Sequence, residues 1–232
     1  MSGTATAEST RASQAAESRA RQAAAGEELY FVPSSRTYVR VKRVADVALS
    51  LIALVVTLPL WLFIAVLVKL NSPGPVLFRQ KRPGRFEVPF EILKFRTMVN
   101  DAEERLHEVV DVNDTEDPLI RVEDDPRVTG VGHLLRVTSL DELPQLINVL
   151  RGEMSIVGPR PISRPIHDPR NRLRLQVTPG ITGLWQVSGR KNTDTDYMLR
   201  KDMEYLQRRS LSFDLAILLK TMAAVIRADG AR

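Results

Sequence analysis

The feature that most constrains this chain is an uncharged, apolar run from Val47 to Val68. A helix of these 22 residues is roughly 33 Å long, which matches a hydrocarbon core of about 30 Å. Pro59 lies just past the middle of the run, where a proline removes a helix hydrogen bond and kinks the helix. The hydroxyl of Thr57 is placed to bond the carbonyl of Ala53 and support the interrupted ladder. The run therefore predicts a membrane helix that is broken at Pro59.

Positive charge lies on both sides of this run. The basic residues are Arg36, Arg40, Lys42 and Arg43 before it, and Lys69, Arg79, Lys81, Arg82 and Arg85 after it. A spanning helix keeps its basic flank mainly on the cytoplasmic side. We therefore expect residues 36–70 to enter the membrane, bend and return to the same face as a re-entrant helix. The alternative is a proline-kinked spanning helix, because prolines are common in such helices.

Composition limits the chemistry that the chain can perform. It has no cysteine, which excludes a disulfide framework, a thiolate metal site and a cysteine nucleophile. Its net charge of +5 favours acidic partners such as anionic lipid, phosphates or nucleic acid. Residues 1–35 are mostly small or polar and predict a disordered tail. Residues 71–232 are enough for one cytoplasmic domain with its own core.

Short extended segments are expected at the start of this domain. Val76–Phe78 predicts a strand, Arg82-Pro83-Gly84 a turn, and Phe86–Met98 a second extended run. In that run Lys94 and Arg96 lie on the same face. Two cations on one face are more often solvated than functional, so they matter only if that face meets a phosphate.

Helical spacing appears further along the chain. It is found at residues 101–110, and the last two helices are expected at about 196–208 and 213–228. The final helix is apolar at regular intervals, so it either packs in the core or lies in the lipid interface.

Two adjacent acids begin another predicted helix. Ser139 and Glu142 have the spacing of a capping box, and an apolar stripe follows them. This spacing places Asp141 and Glu142 in the first helical turn, where negative charge is favoured. Taken alone, such acids are more often ordinary capping residues, and Pro144 leaves the start of the helix open by a residue or two.

Two proline- and glycine-containing segments complete the pattern. In Gly158-Pro159-Arg160-Pro161 the prolines restrict the backbone around a guanidinium that is suited to phosphate binding. Residues 179–190 form a loop or strand that contains several glycines and ends at Arg190. Because the sequence has no Walker loop and no dinucleotide fingerprint, a phosphate site requires scattered Arg and Lys residues.

Taken in order, these motifs resemble those of the bacterial sugar transferase family, the monotopic phosphoglycosyl transferases. The resemblance covers about residues 41–232. It rests on the run broken at Pro59, Arg82-Pro83-Gly84, Lys94-Phe95-Arg96-Thr97-Met98, Ser139-Leu140-Asp141-Glu142-Leu143, Gly158-Pro159-Arg160-Pro161 and Pro179-Gly180 through Gly189-Arg190. No one of these motifs is decisive, but six in this order are specific.

The resemblance implies an α+β fold. In it a small catalytic domain is built around a short β-hairpin or sheet, with a re-entrant helix and interfacial amphipathic helices. It also implies a magnesium-dependent, two-step reaction on the cytoplasmic leaflet of the bacterial inner membrane. Asp141 would attack the β-phosphate of a UDP-sugar and release UMP, and polyprenyl phosphate, such as undecaprenyl phosphate, would then accept the phosphosugar. Asp141 and Glu142 would hold the metal, and Glu142 would have a supporting role.

A pyrophosphate substrate needs cations beside the carboxylates. The substrate-binding candidates are Lys94, Arg96, Arg136, Arg160 and Arg190, together with Gln186. One departure from the family pattern is Leu58-Pro59, where the smallest members carry Ser-Pro. If that serine supports the interrupted helix hydrogen bonds, Thr57 must do so here. Larger members carry additional N-terminal spanning helices and a further domain. Only the tail precedes the membrane run here, so we expect the catalytic core alone.

Two other classes of function fit the composition. A membrane-attached nucleic-acid binder suits the positive charge, but it should interleave aromatic and basic residues, and few aromatics are so placed. A non-catalytic scaffold in a glycan-assembly complex is the second alternative. We expect the enzyme, with no nucleic-acid partner. The identity of the sugar, the glycan served and the oligomeric state stay open, and a homodimer is one alternative.

Overall fold

The computed structural model describes residues 34–109, 124–162, 166, 168–189 and 194–226. The first element, α1, is one helix at Arg36–Asn71, so its 36 residues extend about 54 Å. It continues through Pro59, where the sequence predicted a break. Ser35 caps its start by accepting a hydrogen bond from the N–H of Thr37. Within the described part of the chain, α1 is the one helix that is long and apolar enough to cross a membrane.

The region around Pro59 contains the predicted side-chain support. Thr57 Oγ1 donates to the carbonyl of Ala53 at 2.6 Å, which confirms the expectation for this threonine. Trp61 Nε1 donates in turn to Thr57 Oγ1 at 3.1 Å. These two bonds support the helix on both sides of the position where Pro59 lacks an N–H.

The first part of α1 is bound to the rest of the domain by polar contacts. Arg43 donates to the carbonyls of Val149 and Leu150 at 2.5 and 2.8 Å. Asp46 is buried and accepts hydrogen bonds from Ser155 Oγ at 2.7 Å and from the Ile156 N–H at 3.2 Å.

The second part of α1 is bound by apolar packing. Ile64 and Val68 are buried in a cluster with Phe95 and Leu135, and the ring of Trp61 meets that of Phe95 edge-on. Between the two contact regions α1 exposes large apolar side chains, namely Leu51, Ile52, Val55, Val56, Leu58, Leu62 and Phe63. Both ends of α1 therefore contact the same folded unit, and its middle presents an apolar surface.

Two small sheets form the β structure. Strands β1 (Leu77–Pro83) and β2 (Pro89–Phe95) pair antiparallel, with Leu77 opposite Phe95. β1 is longer than the predicted strand at Val76–Phe78, because Arg82 and Pro83 continue it and the turn begins at Gly84. Strands β3 (Ser155–Val157) and β4 (Gly180–Thr182) pair parallel.

The remaining helices surround these sheets. They are α2 (Gly130–Thr138), α3 (Gln145–Arg151), α4 (Pro169–Arg174), α5 (Leu184–Gly189), α6 (Thr195–Arg208) and α7 (Leu211–Ile226). The helix expected at 196–208 is thus confirmed as α6, and the one expected at 213–228 is confirmed as α7 as far as Ile226, the last described residue. The helix expected at 101–110 is not formed in its described part, residues 101–109, which consists of turns and a 3₁₀ helix at Glu104–Glu108. The mixed α and β fold is confirmed.

The last helix has one buried and one exposed apolar side. Ile217 is buried, and Thr221 shares a hydrogen bond of 2.8 Å with Thr182 of β4. Exposed apolar side chains lie three or four residues apart on another face, at Leu211, Leu215, Leu219, Met222 and Val225. α7 therefore packs in the core on one side, as expected, and its other side is apolar and exposed, while the position of that side in the lipid interface stays a prediction. The predicted tail lies outside the described residues except for Ser34 and Ser35.

Candidate active site

The acidic pair lies in a tight turn between two helices. Ser139 ends α2 with a left-handed backbone (φ 57°), and a 3₁₀ turn follows at Leu140–Glu142. The predicted capping box is wrong, because Ser139 does not cap this turn through its side chain. α3 begins only at Gln145, after Pro144, which has no N–H to give to a preceding turn. Asp141 and Glu142 therefore precede α3 rather than forming its first turn.

Glu142 is held by two cations from different parts of the chain. Its Oε1 accepts hydrogen bonds from Lys94 Nζ at 2.9 Å and from Arg160 Nη2 at 3.0 Å. Lys94 belongs to β2, and Arg160 follows β3. Asp141 is adjacent, with Oδ2 at 3.7 Å from Lys94 Nζ. Both carboxylates are buried, so these cations offset a large part of the cost of removing charge from water.

The electrostatic environment distinguishes the groups of this cluster. Burial raises the pKa of Asp141, Lys94 opposes that rise, and Glu142 adds to it. The pKa of Arg160 is raised, chiefly by the charge of Glu142. Burial and the nearby Arg160 lower the pKa of Arg82 to about 10, and Glu142 acts in the opposite direction. Asp141 is thus a carboxylate whose charge depends on its cationic neighbours.

Backbone contacts fix the loop that carries Arg160. The N–H of Gly158 donates to Thr182 at 2.8 Å, and the carbonyl of Pro159 accepts from the Gly180 N–H at 2.9 Å. A Cβ on Gly180 would lie 2.1 Å from the nitrogen of Gly158, so this close approach requires glycine. The glycine-containing segment is β4 followed by α5, and it supports the Arg160 loop.

Two of the other predicted substrate-binding residues have different surroundings. Burial lowers the pKa of Arg136, and the negative charge of Asp141 opposes that shift. Arg136 Nε donates to Thr97 Oγ1 at 3.0 Å. Arg96 donates to the carbonyls of Ser72 and Pro73 at 2.7 and 2.6 Å, at the end of α1. Its guanidinium thus links the end of β2 to the C-terminal end of α1.

The last two predicted residues lie in or after α5. Gln186 belongs to α5, where its amide nitrogen is 3.5 Å from the carbonyl of Ile181 and its buried Oε1 has no hydrogen-bond partner. Arg190 lies outside the described residues.

Two further residues belong to this region without having been assigned to it from sequence. The charges of Glu142 and Arg160 both affect the pKa of Arg82, and its Nη1 is 3.5 Å from the carbonyl of Pro161. The Arg82-Pro83-Gly84 motif was the sequence feature that could have identified this arginine. Arg174 donates to the carbonyl of Arg160 and pairs with Asp202. Nothing in the local sequence indicates this long-range contact.

The carboxylates also have the chemistry to hold a divalent cation. Mg²⁺ is commonly bound by one or two carboxylates together with the phosphates of a substrate. Asp141 and Glu142 supply hard oxygen ligands in that number. Within the described ranges, no group of three or more His, Asp or Glu side chains forms a separate metal cluster. The residues present thus fit a metal that is shared with a phosphate substrate.

Comparison with known proteins identifies the family. The family model for bacterial sugar transferases matches residues 37–228. The chain belongs to the bacterial sugar transferase family. The resemblance inferred from the motifs is thereby confirmed, and with it the prediction of an enzyme.

Individual relatives extend this assignment. An exopolysaccharide production protein, ExoY, of Sinorhizobium fredii is 39% identical over 213 residues, which cover 87% of this chain and 94% of the relative. A UDP-glucose:undecaprenyl-phosphate glucose-1-phosphate transferase of Caulobacter vibrioides is 43% identical, over 82% of this chain and 71% of the relative. An undecaprenyl-phosphate galactose phosphotransferase of Salmonella typhimurium is 41% identical, over 82% of this sugar transferase but only 41% of the relative.

Proposed function

We propose that this sugar transferase moves a sugar-1-phosphate from a UDP-sugar to polyprenyl phosphate, by way of a covalent intermediate on Asp141. The observation that carries the proposal is the buried Asp141–Glu142 pair beside Lys94 and Arg160. The names of the relatives from Caulobacter and Salmonella describe transfer of this kind to undecaprenyl phosphate. The relationship to ExoY favours a role in starting exopolysaccharide assembly.

In the first step a carboxylate oxygen of Asp141 attacks the β-phosphorus of the UDP-sugar. The bond between that phosphorus and the oxygen that bridges the two phosphates breaks, and its electron pair leaves with UMP. In the second step a phosphate oxygen of polyprenyl phosphate attacks the same phosphorus and breaks its bond to Asp141. The carboxylate is regenerated, and the products are UMP and a polyprenyl diphosphate sugar.

The neighbouring cations make such an attack feasible. An anionic nucleophile and an anionic phosphate repel each other, so positive charge must lie beside both. Lys94 and Arg160 meet at Glu142, next to Asp141, and Arg82 and Arg136 extend the positive field. Arg160 has the planar, forked geometry that binds phosphate in a bidentate manner. Glu142 holds Lys94 and Arg160 in position before the substrate binds.

We expect Mg²⁺ to take part in this chemistry, held by Asp141 and Glu142 together with the substrate. When bound, it would neutralise negative charge on the diphosphate and orient it. The cations of the protein would share that task, since Lys94 and Arg160 already contact the same carboxylate.

The proposed location is the cytoplasmic face of the inner membrane, with α1 as a re-entrant segment. Arg43 and Asp46 at one end of α1, and Ile64 and Val68 at the other, contact the same folded unit. About 18 residues, or about 27 Å of helix, separate Asp46 from Ile64. A helix that crossed the bilayer would separate these two contact regions by most of the hydrocarbon thickness. Their attachment to one domain therefore supports entry and exit on one side.

Membrane attachment would also bring the acceptor to the site. The exposed apolar residues of α1 and of α7 provide two surfaces for the lipid interface. A catalytic centre held at that level meets the phosphate of a polyprenyl lipid without a cavity for the whole tail, which raises the effective concentration of the acceptor.

The proposal is tested by UMP release from the purified protein in nanodiscs. UDP-glucose, UDP-galactose and UDP-N-acetyl sugars are supplied in turn, with magnesium and undecaprenyl phosphate. We expect UMP with at least one donor, together with a lipid-linked product that contains the sugar. A protein that binds membranes and folds normally, yet releases no UMP with any donor, would instead be the non-catalytic scaffold.

A further inference from the structure

The deepest ion pair in the described part of the domain lies away from the acidic pair. Arg174 Nε donates to Asp202 Oδ2 at 2.7 Å, and each side chain is only 1% exposed. Arg174 ends α4, and Asp202 lies in the middle of α6. The other carboxylate oxygen of Asp202, Oδ1, has no hydrogen-bond partner. Removing both charges from water carries a large desolvation cost, so the pair is an unfavourable means of packing two helices together if that is its only role.

The guanidinium of Arg174 has a second contact that packing alone does not require. Its Nη2 donates to the backbone carbonyl of Arg160. The side chain of that same residue, Arg160, reaches Oε1 of Glu142 at 3.0 Å. One chain of contacts therefore runs from Asp202 through Arg174 and Arg160 to the catalytic carboxylates.

The flanking sequence makes this backbone contact effective. Arg160 lies between Pro159 and Pro161, whose rings fix φ and leave two fewer N–H groups to anchor the loop. The loop is therefore held largely through its carbonyls. Pro159 is bound by Gly180, and Arg160 is bound by Arg174. A carbonyl held at Arg160 itself sets the direction from which its side chain leaves the backbone.

A second pair between the same two helices provides a comparison. Arg170 of α4 contacts Asp196 of α6 at 2.7 Å, and it also pairs with Asp168. This pair is partly exposed, and its arginine has no contact with the Arg160 loop among the bonds described for it. α4 and α6 are thus joined at the surface as well, so joining the two helices does not account for the second contact of Arg174.

We propose that Arg174, held by Asp202, is a positioning residue that aims the Arg160 guanidinium at the phosphate-binding centre. This inference rests on the proposed function, since Arg160 is taken to bind the substrate diphosphate. Arg174 does not touch the substrate, and it acts only through the backbone of Arg160.

The test is a double-mutant cycle on UMP release. Arg174→Lys keeps a cation for Asp202 but loses the arm that binds the Arg160 carbonyl. We expect kcat/KM to fall at least about tenfold in the otherwise wild-type protein. In an Arg160→Lys background the forked group that needs aiming is absent, so the same change should cost less than about threefold. Arg170→Lys, on the same helix, should leave kcat/KM within about twofold in both backgrounds.

The outcomes separate positioning from general stability. An equal fold-loss from Arg174→Lys in both backgrounds would mean a structural role and would overturn the inference, as would wild-type activity in the single variant. If Arg174→Lys does not fold, judged by circular dichroism and thermal unfolding in detergent, Asp202→Asn enters the same cycle and must show the same non-additivity. Absence of UMP release by the wild-type protein would contradict the proposed function instead, which keeps the two failures distinct.

Discussion

Glu142 Oε1 lies 3.0 Å from Nη2 of Arg160, at the centre of the candidate site. The same oxygen also binds Lys94 at 2.9 Å, whereas Asp141 approaches Lys94 only to 3.7 Å. The two carboxylates are neighbours in sequence but are engaged differently. Glu142 organises the cations, and Asp141 is the carboxylate with the weaker contact. This difference gives a physical reason for expecting distinct roles.

The first prediction assigns the nucleophile. Asp141→Asn keeps the shape of the side chain but removes the anion, so no phosphosugar adduct should form. Glu142→Gln should slow the reaction but still allow the adduct. The measurement is intact-protein mass spectrometry after addition of UDP-sugar and magnesium without lipid acceptor. The wild type should gain one phosphosugar and lose it when polyprenyl phosphate is added. An adduct that peptide mapping places on Glu142 would overturn the assignment.

The second prediction concerns Arg160. Lysine keeps the charge but loses the bidentate fork, so Arg160→Lys should lower kcat/KM at least roughly tenfold, or about 1.4 kcal/mol of transition-state stabilisation. The matched control is Arg208→Lys, which alters an exposed arginine that pairs with Glu204 on α6. Near-normal kcat/KM for Arg160→Lys would remove this residue from the phosphate site.

A third prediction follows from the raised pKa of Asp141. Attack needs the carboxylate, so the rate of adduct formation should fall as pH drops through that pKa. The acid limb should lie above the ordinary aspartate value of 3.8, because burial disfavours the anion. Lys94→Met removes the strongest opposing charge and should move this limb to higher pH. Single-turnover rates measured across pH give the midpoint. The same midpoint in the wild type and in Lys94→Met would contradict the assignment of this limb to Asp141. Lys201→Met, which alters an ion pair with Glu204 on α6, is the control.

The fourth prediction tests the topology of α1. The chain has no cysteine, so single cysteines at Ser13 and Asp101 report on the two sides of the helix. For a re-entrant helix, an impermeant thiol reagent should label neither site in intact cells and both sites after permeabilisation. Labelling of the Ser13 site alone in intact cells would indicate a spanning helix. Pro59→Ala should increase the spanning fraction, because it restores the helix hydrogen bond that proline lacks.

The fifth prediction concerns the metal. Chelation should abolish UMP release, and added Mg²⁺ should restore it, since the diphosphate charge would otherwise repel Asp141. UMP release that persists after exhaustive chelation and dialysis would exclude a metal requirement. Circular dichroism of the chelated protein controls for loss of fold.

The sequence alone determined the long apolar helix and the order of the motifs. A long uncharged run favours burial in an apolar medium, and it needs no tertiary information to be recognised. The bond from Thr57 to Ala53 was predictable for a related reason, because a hydroxyl reaches the carbonyl four residues earlier in any helix. The helices α6 and α7 followed from residue spacing, since each has a continuous periodic pattern.

Only the tertiary structure decided which charges meet. Lys94 and Arg96 are two residues apart, yet one binds Glu142 and the other binds the carbonyls of Ser72 and Pro73. β2 ends at Phe95, so Arg96 lies just beyond the strand, and its side chain reaches the end of α1. The contact between Arg174 and Arg160 likewise joins parts of the chain that no local pattern connects. Local hydrogen bonding and hydrophobic periodicity depend on residues that are close in sequence. The partner of a charged side chain depends instead on which segments the fold packs together.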